Sequence, residues 1–206
     1  PIASFELSKN TCMSDEINKE LTAISNWLCV NKLSVNVKKT KCMLFHCHQR
    51  QRLPNLKLVM NDTPVERVPV FNFLGILIDE NLTWKAHLNQ LCSKVSQTLG
   101  ILKKLKHTLP SATLLLMYNA LILSTLQYRI LAWGCNSNKG RLLKLQKKAM
   151  RIICKTKDNA HCDPLFILNK CLKIDDILVQ CELKFFISIK PGLFLPTLMA
   201  CLSLCF

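Results

Sequence analysis

From Leu88 onward the apolar residues recur every three or four positions. Leu88, Leu91, Val95, Leu99, Leu102 and Leu105 fall on one face of a 3.6-residue helix. Upstream, Ile17, Leu21, Ile24 and Leu28 keep the same spacing. Between these two stripes the pattern shortens to strand length. Leu33-Ser34-Val35-Asn36-Val37 alternates like a half-buried strand, and Cys42-Met43-Leu44-Phe45 and Leu56-Lys57-Leu58-Val59-Met60 are two more candidates. Phe71 to Ile78 is a nearly continuous apolar strand ending at Asp79. Strands early and only helices late give an α+β chain.

The helix containing Ile17 starts at Ser14 as N-cap, with Asp15 and Glu16 in its first turn, and ends near Val30-Asn31. Phe5-Glu6-Leu7 is a short strand candidate before it. Residues 49–55, with Pro54, are a polar loop, and Asn61-Asp62 is a turn. Pro110 breaks the Leu88 helix, and Ser111 caps a new one through about Tyr128. Gly134 and Asn136-Ser137-Asn138 form a loop. A helix over 140–155 follows, then a helical stretch from Asp163-Pro164 toward Lys190. The expected organisation is a first region, 1–80, with three to five short antiparallel strands and one helix. A helical region covers 81–190, and an aberrant tail, 191–206, is broken by Pro191-Gly192 and Pro196.

Half of the 206 residues are hydrophobic and a fifth are charged, which favours a packed core over disorder. Twelve cysteines sit mostly in apolar patterns, as at Cys29, Cys92 and Cys154, and read as reduced packing residues. Pro1 to Glu6 carries no basic, then apolar, leader. An intracellular setting, nuclear or cytoplasmic, is expected. A start without Met, inside a strand, reads as a fragment.

Charge divides the chain more sharply than hydropathy. The net charge is +15, and no acidic residue occurs between Glu80 and Asp158, where 14 Lys/Arg lie. A field of one sign attracts polyanions and releases counterions on each phosphate contact. Nucleic acid is the expected partner and an anionic membrane the rival. Within the stretch, Arg141, Lys144, Lys148, Arg151 and Lys155 are spaced by 3, 4, 3 and 4, one basic helical face. Leu142, Leu145, Ala149 and Ile152 form an apolar face beside it. An ordinary solvated face usually mixes signs, and this one holds no acid.

Residues 108–128 contain no charge over 21 positions, the length of a bilayer span. Pro110, Asn119, Gln127 and several hydroxyls interrupt it, and Arg129 follows, so a buried helix is the expectation. A membrane-associated helical protein is the alternative. Cys42, His46, Cys47 and His48 crowd together but lack the spacing of a zinc site, and His161-Cys162 adds little. Lys39 with Thr40 is either a phosphate contact between strands or a solvated turn. Phosphoryl transfer with two metal ions needs clustered carboxylates. Here Asp62, Asp79 and Asp175-Asp176 are scattered, and no metal site is expected.

The order of segments resembles the reverse transcriptases of non-LTR (LINE-like, jockey-type) retrotransposons. Asn18-Lys19-Glu20-Leu21 leads to Trp27-Leu28 and then to Asn31-Lys32-Leu33-Ser34-Val35-Asn36-Val37-Lys38-Lys39-Thr40-Lys41. Phe71-Asn72-Phe73-Leu74-Gly75-Ile76-Leu77-Ile78-Asp79 continues to Leu82-Thr83-Trp84-Lys85-Ala86-His87. Gly100-Ile101-Leu102, Tyr118, Ala132-Trp133-Gly134, Leu145-Gln146-Lys147-Lys148-Ala149-Met150-Arg151 and Ala160-His161-Cys162-Asp163-Pro164-Leu165-Phe166 follow in the family's order, over about residues 5–190.

This resemblance implies the end of a polymerase palm followed by a helical thumb and connection, with an RNA/DNA template–primer duplex as partner and no small-molecule substrate identified. Lys39 matches the lysine near the triphosphate and its departing pyrophosphate. Phe73, Leu74 and Gly75 match the primer grip, a hairpin at the primer 3′ end, where a glycine lets backbone approach a sugar-phosphate closely. The family's Asp-Asp turn should lie just before Phe5 and is absent. Mg2+ is expected for the intact enzyme, and no cofactor for this fragment, which is expected to be inactive alone; the alternatives are a non-enzymatic basic nucleic-acid-binding protein or a non-functional transposon relic.

Overall fold

The computed structural model describes residues 13–47 and 56–188. The strand candidate at Phe5, the 49–55 loop, His48 and the 191–206 tail lie outside the described residues. The chain divides into two compact units, Pro1–Leu82 and Thr83–Phe206. It is a mixed helix-and-sheet protein, with all described strands in the first unit.

In the first unit, helix α1 spans Met13–Val30, with Asp15 and Glu16 in the first turn, where negative charge suits the helix dipole. Ile17 and Leu28 are buried on it, and Trp27 is exposed. Asn18 fastens the helix to the next chain segment. Its Nδ2 donates to the Lys57 carbonyl at 3.1 Å, and its Oδ1 accepts from the Val59 N–H at 3.0 Å.

The strands are shorter and more numerous than expected: β1 (Lys41–Cys42), β2 (Val59–Met60), β3 (Thr63–Pro64), β4 (Glu66–Arg67), β5 (Val70–Phe73) and β6 (Ile76–Asp79). They form three two-stranded sheets. β2–β3 and β5–β6 are antiparallel, but β1–β4 is parallel, which corrects the all-antiparallel expectation. Leu33–Val37 forms no strand. The Asn36 side chain instead accepts from the Lys39 N–H at 3.2 Å and caps a 3-10 turn, Val37–Lys39.

The long strand expected over 71–78 is two strands. A two-residue turn separates them, with Leu74 at φ 48 and Gly75 at φ 84. Positive φ at both central residues is the type I′ signature of tight hairpins. Asn61-Asp62, at φ 48 and 57, makes the same kind of turn between β2 and β3.

The described elements of the second unit are helices: α2 (Lys85–Leu105), α3 (Ser111–Tyr118), α4 (Ser124–Gln127), α5 (Ile130–Trp133), α6 (Gly140–Ile153), α7 (Asp163–Leu168) and α8 (Ile174–Ser188). One core cluster joins them, from Leu88 on α2 to Leu178 on α8. Trp133, Tyr118, Leu102 and Ile177 are fully buried in it.

A π-helical segment, Asn119–Leu123, links α3 to α4. The buried residues explain it. Leu114, Tyr118, Ile122, Leu126 and Ile130 recur every fourth position. An α-helix turns about 100° per residue, so a four-residue repeat drifts by roughly 40° per step. The wider π turn takes up that drift and keeps Ile122 and Leu126 toward the core. The uncharged segment 108–128 is therefore three short helical pieces with one buried face. Among the described residues, no helix is long and apolar enough to cross a membrane.

Candidate nucleic-acid interface

Helix α6 buries Leu142, Gln146, Ala149, Met150 and Ile153. The apolar face expected from Leu142, Leu145, Ala149 and Ile152 is thus rotated: Leu145 and Ile152 are only half-buried. Sequence reasoning missed Gln146 because it is polar. Its side chain is the polar centre of the second unit. Nε2 donates to the Tyr118 hydroxyl and to the Leu172 carbonyl, both at 2.8 Å, and Oε1 accepts from the Ile174 N–H at 3.0 Å. One side chain thereby ties α6 to α3 and to the start of α8. Burial pushes the Tyr118 hydroxyl up to about 12, with the Gln146 hydrogen bond pulling against it.

Fixing that face fixes the opposite one. Arg141, Lys144 and Lys148 are exposed on α6. Among the described residues, none of the three is in an ion pair with an acid. Arg141 is oriented: its Nη1 donates to Asn89 Oδ1 on α2 at 2.7 Å. The same guanidinium pulls down the Cys92 thiol, which burial pushes up more strongly.

The other two members of the expected basic face behave differently. Arg151 is half-buried, and its Nε donates to the Ala160 carbonyl at 2.9 Å. Lys155 lies beyond the helix, which ends at Ile153. Its φ is 53, its N–H bonds the Ile152 carbonyl, and the Thr156 N–H bonds the Arg151 carbonyl. This is a Schellman termination with lysine in the left-handed position that glycine usually takes. The five-residue face expected over a helix of 140–155 is therefore a three-residue face, with Lys155 displaced onto the cap.

Nor is the acid-free stretch acid-free in space. Asp175 of α8 pairs with Lys139 at 2.8 Å. Asp163 pairs with Lys173 at 2.8 Å, and its carboxyl is held below the usual range first by that hydrogen bond, with Lys173, His161 and Lys147 charges adding to it. Asp163 and Asp175 thus engage lysines other than the exposed trio.

In the first unit, Lys39 is exposed on the 3-10 turn just before β1. Phe73, Leu74 and Gly75 lie at the tip of the β5–β6 hairpin, where the Gly75 N–H is held by Asn72 Oδ1 at 3.1 Å. Leu74 is 59% exposed, which leaves an apolar side chain beside an accessible backbone. The hairpin is the β5–β6 sheet, whereas the turn leads into β1, which pairs with β4.

His46 is spent on local structure. Its Nδ1 is 3.0 Å from the Cys47 carbonyl, and its Nε2 is 3.6 Å from Glu80, which also takes Arg67 at 3.1 Å. Among the described residues, no three His, Cys, Asp or Glu side chains converge as metal ligands. The described carboxylates do not fit a shared two-metal site. Asp62 is exposed at a hairpin turn, Asp175 is on Lys139, and Asp176 accepts from the Lys173 N–H at 3.3 Å. No family model, curated protein or solved structure matches the chain.

Proposed function

We propose that this chain is the end of the palm and the thumb of a non-LTR retrotransposon reverse transcriptase, and that its own part is to hold the template–primer duplex through phosphates. The motif order across residues 5–190 supports the family. The observation that carries the binding role is α6. Its buried face is locked by Gln146, while Arg141, Lys144 and Lys148 stand exposed and outside any described ion pair. From Arg141 to Lys148 is about 10 Å of helix. That reaches roughly three successive phosphates of one strand. Contacts of this kind position a duplex without reading its sequence.

Primer extension needs carboxylates for two metal ions. In this reading they come from elsewhere in an intact enzyme, together with Mg2+, and the chain alone extends no primer. Lys39 and the Phe73–Gly75 turn take the triphosphate-side and primer-grip roles only in that larger assembly.

The test is fluorescence anisotropy on a labelled RNA/DNA hybrid. Lys144→Glu/Lys148→Glu should weaken binding by more than about tenfold, because each reversal removes one phosphate contact and adds a repulsion. Lys38→Glu/Lys184→Glu makes the same change in net charge at other exposed lysines and should lose far less. Equal losses in the two double variants would reduce the interface to bulk charge and overturn its placement on α6.

A further inference from the structure

The second unit exposes few aromatic rings. Trp133, Tyr118 and Phe166 are buried, and Trp84 and Phe185 are half-buried. Tyr128 and Phe186 are the exposed ones among its described residues, at 49% and 54%. They differ in their surroundings. Phe186 lies on α8, the helix that carries Asp175, Asp176 and Glu182, and packs edge-on against Phe185. Tyr128 lies inside the acid-free stretch, and the Arg129 guanidinium sits over its ring, 5.4 Å from the centroid.

The backbone presents this pair rigidly. The helix stops at Gln127, Tyr128 turns extended at ψ 109, and Arg129 takes a left-handed φ of 51. A non-glycine residue there is strained and persists only where its surroundings hold it. They do: Trp133 Nε1 donates to the Tyr128 carbonyl at 3.2 Å, the Tyr128 N–H bonds the Ser124 carbonyl at 3.1 Å, and the Ala132 N–H bonds the Arg129 carbonyl at 3.0 Å. The buried Trp133 thus anchors the break from below.

We infer that Tyr128 and Arg129 form a stacking site for an unpaired nucleobase, with the Arg129 charge serving the adjoining phosphate. This rests on the nucleic-acid reading above and adds single-stranded template to its partners. An aromatic face beside a guanidinium is the chemistry that takes single strands without sequence preference. Lysines on a helix supply charge alone, which a paired duplex satisfies. Tyr128 supplies a π face, which only an unstacked base can use.

The experiment compares two probes, a 12-nucleotide oligo(dT) and a 12-base-pair duplex, on the full chain. Tyr128→Ala and Tyr128→Leu should weaken oligo(dT) binding by about tenfold, the scale of one lost base stack, and leave duplex binding unchanged. Tyr128→Trp should restore it. The leucine variant keeps apolar bulk, and circular dichroism melts of both variants show that the helices remain. Unchanged oligo(dT) affinity in both variants, or an equal loss on both probes, overturns the stacking site while leaving the α6 interface standing. Wild-type chain that binds neither probe overturns both.

Discussion

The two units of this chain use the same residue types to different effect. In Thr83–Phe206 the buried apolar side chains form one continuous cluster around a satisfied polar centre. In Pro1–Leu82 the buried apolar residues among those described are Ile17, Leu28, Leu58, Met60 and Ile76, none of them fully buried, while Trp27, Val30, Leu33, Phe45, Phe71 and Leu74 are exposed. Its described strands form three sheets of two strands each, and a two-stranded ribbon is marginal by itself in water. The strand unit thus leaves more of its large apolar side chains exposed than it buries among the described residues, an association hazard.

Removing the polar centre of the helical unit should have the largest effect. Gln146→Leu strands the Ile174 N–H and the Tyr118 hydroxyl in the core and takes away the donor to the Leu172 carbonyl. Each buried unpaired group costs about 1–3 kcal/mol, so a loss of roughly 3 kcal/mol or more is expected in urea unfolding followed by circular dichroism. Met60→Ala in the strand unit should leave that helical transition in place. A shared, equal drop in both variants would mean that the units fold as one.

A pH titration should separate the units next. His87 is buried on α2 with its ring edge-on to Trp84 and Trp133, and burial lowers its pKa from 6.5. The folded state therefore resists the proton that the unfolded chain accepts. Stability from this group is full above pH 6.5 and falls as the pH drops below it toward the depressed folded value. The melting temperature of the helical unit should decline in that window, and His87→Phe should flatten the decline. The Asp163–Lys173 pair cannot mimic this, because an acid with a lowered pKa loses its contribution only below its ordinary value of 3.8.

The smallest effect belongs to the helix ends. Lys32, Lys155 and Lys170 all have positive φ just past a helix, each followed by a back-bonded residue. Glycine at Lys155 should raise stability by about 1 kcal/mol, since it relieves the left-handed strain. Thermal melts check this, and no gain would mean that the lysine charge at the helix C-terminus offsets the strain.

Those lysines also explain what was legible. The α2 stripe, the end of α1 at Val30 and the Asn61-Asp62 turn followed from periodicity and turn chemistry, whereas Ser14, expected as the N-cap of α1, lies inside the helix. The ends of α6 and α7 did not, because no glycine marks them. The hairpin at Leu74-Gly75 was hidden from pattern reading because leucine continues an apolar run, although the resemblance implied a hairpin there. Leu33–Val37 alternates, but a local Asn36 cap outcompetes pairing over so few residues. On α6 the spacing placed Arg141, Lys144 and Lys148 correctly. It could not show that Arg151 folds onto Ala160, or that Asp175 arrives from another helix to neutralise Lys139.

The central claim is that exposed lysines of α6 touch phosphates. Salt dependence counts such contacts. The slope of log affinity against log salt on duplex should shrink by about two units in Lys144→Ala/Lys148→Ala, at roughly 0.9 per phosphate released. That reduction is expected together with unchanged helical content. An unchanged slope, with affinity lowered or not, would contradict it.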